Sequence, residues 1–163
     1  MNHPYPAIEL DPQNGPPSAC INSAIRRAAR RIGQIYDDAL KVCDLRGTQY
    51  GLLSQIDRAQ GATMRALADT MVMDLSALGH TLKPLVRDGL VTLAVDGQDR
   101  RSKRVFLSQA GEEKLKEARK IWQRVQESFE QAYGDDDALI LRKTLDFIAS
   151  PAFAEKVSAA LRD

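Results

Sequence analysis

Residues 91–108 read VTLAVDGQDRRSKRVFLS, with four basic residues (Arg100, Arg101, Lys103, Arg104) inside five positions and an apolar run on either side. Val91, Leu93 and Val95 alternate with Thr92 and Ala94, as the side chains of a half-buried strand do. Asp96-Gly97 is a turn signal, and Val105 with Leu107 marks a returning strand. The stretch is therefore predicted to be a β-hairpin that carries a concentrated positive charge at its tip.

That charge is local. The chain of 163 residues holds 23 Lys plus Arg against 22 Asp plus Glu, a formal net charge of +1, so the global balance names no partner. The length fits one ordinary domain, or a small one with extensions. Cys20 and Cys43 have neither CxxC spacing nor a nearby histidine, which argues against a zinc site or a disulfide framework. The N-terminus shows no basic segment followed by an apolar one, and no run of about 18 apolar residues occurs. A cytoplasmic protein without a membrane partner is the expectation.

Upstream of the hairpin the apolar spacing becomes helical. Asp88-Gly89 is a helix stop, preceded by Leu75, Leu78, Leu82 and Leu85 with Asp74 as N-cap. Pro84 inside that helix removes a backbone donor, so a kink or a tightened last turn is expected there. A break at Val72-Met73 separates it from a shorter helix capped by Thr63, with Leu67, Ala68 and Met71 on its apolar side. Two short helices joined by a tight turn make a helix-turn-helix.

Further back, Arg46-Gly47 reads as a helix stop and Thr48 as the cap of a helix carrying Leu52, Leu53 and Ile56. A stripe of Ile21, Ile25, Ala28, Ile32, Ile35, Ala39 and Val42 predicts a first helix of about 25 residues. Arg26, Arg27, Arg30 and Arg31 lie off that stripe. Five of the seven prolines fall within the first 17 residues, so residues 1–19 read as a flexible arm.

Downstream, Ser108 caps a long helix with Leu115, Ala118, Trp122, Val125, Phe129 and Ala132 on one face. Gly134 ends it. Asp135, Asp136 and Asp137 suit the N-terminus of the next helix, which carries Leu141, Leu145 and Ile148. Ser150-Pro151 opens a last one with Phe153, Val157 and Leu161. The first and last helices have stripes too long for so small a core, which calls for a partner surface.

The segments LRGTQYGLLSQI (45–56), LADTMVMDLSALGHTLKPLVRDGLV (67–91) and DGQDRRSKRVFLSQAG (96–111) together resemble the MarR (multiple-antibiotic-resistance regulator) family of bacterial transcription factors. Asp99-Arg100-Arg101 is similar to the family's Asp-x-Arg wing signature, and Leu107 to Gly111 to its Leu-Ser/Thr-x-x-Gly helix entry. The resemblance implies a mainly α fold with a small β-hairpin wing, a winged helix-turn-helix with N- and C-terminal dimerisation helices. Residues 20–46 would then form the N-terminal dimerisation helix, 47–110 the DNA-binding lobe, and 111–163 the long connecting helix and C-terminal dimerisation helices.

A homodimer on a pseudo-palindromic DNA operator follows, with two recognition helices entering successive major grooves about 34 to 36 Å apart. Ser76, Ala77, His80 and Lys83 are the expected groove-facing set, with plain surface as the other reading of His80. In the wing, Arg101 is expected to enter the minor groove, Asp99 to hold it or the turn, and Arg100, Lys103 and Arg104 to meet phosphates or the strand face. Arg65 is a candidate phosphate clamp or a solvated side chain. The helix starting near residue 75 has Leu75, Gly79 and His80 where relatives often carry arginine or another polar group, so it is poor in positive charge.

The resemblance also implies a small, often aromatic effector, which would release the DNA. Tyr36, Gln49, Tyr50 and Leu53 are the residues expected to line its crevice, or else to be core and dimer packing. A thiol-based redox sensor using Cys20 and a non-specific architectural DNA-binding protein are the alternatives. Cys43 reads as a small buried hydrophobe. No cofactor is expected. The only histidines are His3 and His80, and no nucleophile motif or phosphate loop occurs, so an enzyme is not expected.

Overall fold

In a computed structural model, which describes residues 20–162, the chain runs through α1 (Ile21–Leu40), a single 3-10 turn (Lys41–Cys43), α2 (Gly47–Ala59), α3 (Met64–Thr70) and α4 (Leu75–Arg87). It continues through β1 (Val91–Val95), β2 (Lys103–Leu107), α5 (Gln109–Tyr133), α6 (Asp135–Ile148) and α7 (Pro151–Ala160). The arm expected over residues 1–19, with His3, lies outside the described residues.

Four helix starts follow from local hydrogen bonds. Thr63 Oγ1 accepts from the Ala66 N–H at 3.2 Å, Asp74 Oδ1 from Ala77 at 2.7 Å, Ser108 Oγ from Gly111 at 3.0 Å and Ser150 Oγ from Phe153 at 3.3 Å. Each satisfies a backbone donor that the first turn leaves without a partner. Thr48 does not act in this way, and α2 begins at Gly47 with Arg46 as its N-cap, two residues earlier than expected. The Gly47 N–H donates to Asp37 Oδ1 at 2.7 Å and the Arg46 N–H to Gln49 Oε1 at 2.9 Å. A carboxylate from α1 takes the capping role, so Thr48 sits inside the helix.

The first helix is also shorter than its stripe predicts. Its stop is Asp44, in the left-handed region at φ 52°, rather than Arg46-Gly47. The Leu45 N–H reaches back to the Leu40 carbonyl at 3.3 Å. This reversal turns Leu40, Cys43 and Leu45 into the core beneath the helix end. Pro84 lies within α4, which continues to Arg87. The helix closes with Gly89 N–H to Val86 O at 3.1 Å and Leu90 N–H to Leu85 O at 2.9 Å, the paired bonds of a Schellman stop.

One core joins α2, α3, α4, the base of the hairpin and the first half of α5. Leu52, Leu53, Leu67, Leu78, Leu85, Val91 and Val105 are all fully buried in it. The strands pair antiparallel, Val91 opposite Leu107 and Leu93 opposite Val105. The expected inward set needs correction at three positions, because Leu75 (37% exposed), Leu93 (39%) and Val95 (63%) lie beyond the edge of the core. It is β2 that meets the segment between α2 and α3, through Arg104 and Val105, while Leu93 and Val95 on β1 stay open, so alternation there does not mean burial.

Candidate nucleic-acid interface

The turn between α3 and α4 is built by Val72 at φ 52°, with the Met73 N–H bonded to the Ala68 carbonyl at 2.9 Å. It sets α4 so that Leu78, Leu82 and Leu85 face the core. Ser76, His80 and Lys83 are left exposed and Ala77 half-buried. Thr81 is occupied locally, its hydroxyl donating to the Ala77 carbonyl at 3.0 Å. Arg65 is exposed on the first turn of α3.

At the hairpin tip, the backbone closes through Asp96 N–H to Ser102 O at 3.0 Å and Ser102 N–H to Asp99 O at 2.8 Å. Asp99 Oδ1 accepts from the Arg101 N–H at 3.0 Å, so this carboxylate fixes the turn from which Arg101 projects. Arg100, Arg101 and Lys103 are exposed and form no ion pair among the described residues.

Arg104 differs from these three. Its Nη2 lies 3.1 Å from Asp96 Oδ2, and its Nη1 donates to the Gly61 carbonyl at 2.8 Å. The guanidinium points back toward the α2–α3 junction, on the strand-face side of the two placements expected for it. Asp96, read from sequence as a turn residue alone, is buried. A hydrogen bond from the Gln98 N–H, then Arg104, holds its carboxyl below the usual carboxylate range. The Asp-Gly pair marks the turn so plainly that nothing in the sequence signals this second role.

The proposed crevice residues separate. Tyr36 and Tyr50 line one cavity of about 260 Å³ with Gly47, Gly51, Ser54, Gln55, Arg58 and Trp122. Tyr50 and Trp122 stack with ring centroids 6.0 Å apart, and the Tyr36 hydroxyl donates to Gln126 Oε1 at 3.2 Å. Burial raises both phenol pKa values. Leu53 and Gln49 do not line it. Leu53 is fully buried on the inner face of α2, and Gln49 caps that helix. Ser54, Arg58 and Trp122 were missed, although residues 50, 54 and 58 share one helix face at a spacing of four.

A second, more apolar groove of about 470 Å³ runs between α1 and α5, lined by Ile32, Ile35, Ala39, Val125 and Phe129 among others. Cys20 is exposed at the start of α1, while Cys43 is buried and its Sγ donates to the Leu40 carbonyl at 3.1 Å. Burial pushes the Cys43 thiol up, away from the reactive thiolate. Among the described residues no group of three or more His, Cys, Asp or Glu can hold a metal ion, and no helix is long and apolar enough to cross a membrane.

The sequence profile of the MarR family matches residues 44–102, from the end of the 3-10 turn to the wing tip. No curated protein sequence matches the chain. Among solved structures, the chain is similar to the transcriptional regulator MosR of M. tuberculosis in complex with DNA, with 32% identity over 83% of this chain and 97% of that one and a TM-score of 0.75. CouR from Rhodococcus jostii RHA1 bound to p-coumaroyl-CoA is 23% identical over 82% and 94% of the two chains, TM-score 0.69. Wild-type MarR from E. coli in its apo form is 20% identical over 80% and 97%, TM-score 0.63. At those last two identities the likeness concerns the fold. With the MosR match spanning nearly the whole of that regulator and the family profile covering the helix-turn-helix and wing, the chain belongs to the MarR family of transcriptional regulators.

Proposed function

We propose that the chain is a sequence-specific double-stranded DNA-binding regulator, most simply a repressor, that acts in the cytoplasm as a homodimer on a pseudo-palindromic operator. The observation that carries this reading is the wing tip. Asp99 fixes its turn, and Arg100, Arg101 and Lys103 stand exposed without an acidic partner among the described residues. Cations held this way gain from phosphates and from the negative potential of a minor groove. Ser76, Ala77, His80 and Lys83 of α4 serve as the major-groove set and Arg65 as a phosphate contact. The DNA-bound form of MosR, a similar protein, supports the reading.

Residues 47–110 form the DNA-binding lobe in this proposal, while 20–46 and 111–163 hold the two copies together. The cavity between α1, α2 and α5 takes a small effector. Its stacked Tyr50–Trp122 pair suits an aromatic ring and Arg58 at its rim suits an anionic group. The test is a gel-shift titration at stated salt against the intergenic DNA beside the protein's own gene, with a random duplex as control. Selective shifting is expected, and Arg101→Ala should weaken it by roughly 1–3 kcal/mol without loss of fold. Equal shifting of both duplexes, steeply lost with salt, replaces the regulator with an architectural DNA-binding protein.

A further inference from the structure

We infer that Asp96 and Arg104 form a strut that sets the position of the wing on the lobe, so that both are positioning residues for DNA binding although neither touches DNA. The inference rests on the DNA-binding reading above. Its observations are separate from the exposed cations. Arg104 is the one basic residue of the wing cluster that turns inward, reaching Asp96 Oδ2 at 3.1 Å within the hairpin and the Gly61 carbonyl at 2.8 Å on the lobe. A planar guanidinium with two donors so engaged ties the wing turn to the α2–α3 junction through one rigid group.

The attachment is continuous with the backbone there. The Val105 N–H donates to the Ala62 carbonyl at 3.0 Å, and Arg104 bridges to Thr63 as an isolated antiparallel pair. The Phe106 ring lies over Gly61, at φ 86°, so closely that a Cβ on that residue would overlap it. The wing therefore meets the lobe on the segment that leads into α3, the first helix of the helix-turn-helix. Beyond Val95 and Lys103 the hairpin has no other described hydrogen bond to the lobe, so without the strut its tip would pivot on the two strands.

Asp96→Asn and Arg104→Met test the strut, because electrostatics and positioning predict opposite signs for the first. Removing a carboxylate from a DNA-facing hairpin strengthens binding if charge alone matters. A strut predicts the reverse, since the asparagine amide would oppose the guanidinium. Operator affinity is expected to fall roughly tenfold in each variant, with the double variant no worse than Arg104→Met alone. Arg101→Ala should then matter less on the Asp96→Asn background than in the wild type.

A DNA-independent readout accompanies the binding. Trypsin should cut at Arg100, Arg101 and Lys103 faster in both variants, while circular dichroism and the melting temperature keep the lobe's values. If either variant fails to fold, Arg104→Lys keeps the charge and loses the fork, and it should show the same changes in smaller degree. Binding by Asp96→Asn equal to or tighter than wild type overturns the strut, as do unchanged cleavage rates or additive effects in the double variant. A wild-type protein that shifts no DNA overturns the DNA-binding reading, and the positioning role with it, whereas the cleavage rates still report on the strut itself.

Discussion

A methyl group added at Gly111 would collide with the carbonyl oxygen of Leu90, the same oxygen that accepts from the Ser108 N–H at 3.0 Å. The end of α4 and the start of α5 are thus pressed together backbone to backbone. Gly111→Ala should destabilise the fold by about 1–3 kcal/mol or more, read as a lower urea midpoint at unchanged slope. An unchanged midpoint would mean that the junction can open. Val72 poses the converse case. It is a β-branched residue at φ 52°, 69% exposed, in the position after the helix where glycine is favoured. Val72→Gly should therefore raise stability by about 0.5–1 kcal/mol, and a loss would show that its side chain does more than its exposure suggests. The sequence made Gly111 visible as part of a pattern but hid its reason, which is a contact with residue 90. It gave no sign of Val72's conformation, since valine argues locally against it.

Helix starts were legible wherever the cap is local. Thr63, Asp74, Ser108 and Ser150 each accept from a backbone N–H three residues on, a bond decided within one turn. Thr48 was misread because Asp37, ten residues before Gly47, supplies the acceptor instead. Burial was less legible than spacing. Within α4, Leu78, Leu82 and Leu85 reach the core, while Leu75 keeps the same apolar rhythm on a first turn that overhangs it. Leu78→Ala should then cost about 2–5 kcal/mol. Leu75→Ala should cost well under half as much by the same chemical denaturation. Equal losses would place Leu75 in an interface that the single chain does not display. The cavity was half legible for a related reason: Tyr36 and Tyr50 were found as aromatic residues near a helix junction, whereas Trp122 arrives from α5, more than seventy residues away.

At the scale of the molecule, the lobe is closed and the long helices are not. α1 buries only Leu40, α6 only Ala138, and α7 no residue at all. Ile35 (46% exposed), Ile140 (61%), Phe147 (50%) and, just past α7, Leu161 (82%) are large apolar side chains left open. An apolar surface spread over several helices in this way marks an interface rather than a solvated exterior. The groove between α1 and α5, lined by Ile32, Ile35, Val125 and Phe129 among others, adds to this open apolar surface. On the function proposed above, a second copy of the chain would be the occupant, because two lobes related by a two-fold axis would read two half-sites and one lobe only one. The wild type should sediment at twice the chain mass at micromolar concentration. Ile35→Glu combined with Phe147→Glu should give a monomer with the lobe's helices intact. Its operator affinity should fall by roughly 10²-fold or more, since the second half-site would no longer be engaged within the same complex. A monomeric wild type that still binds its operator tightly would remove the dimer from the proposal. A double variant that stays dimeric would move the interface away from these faces.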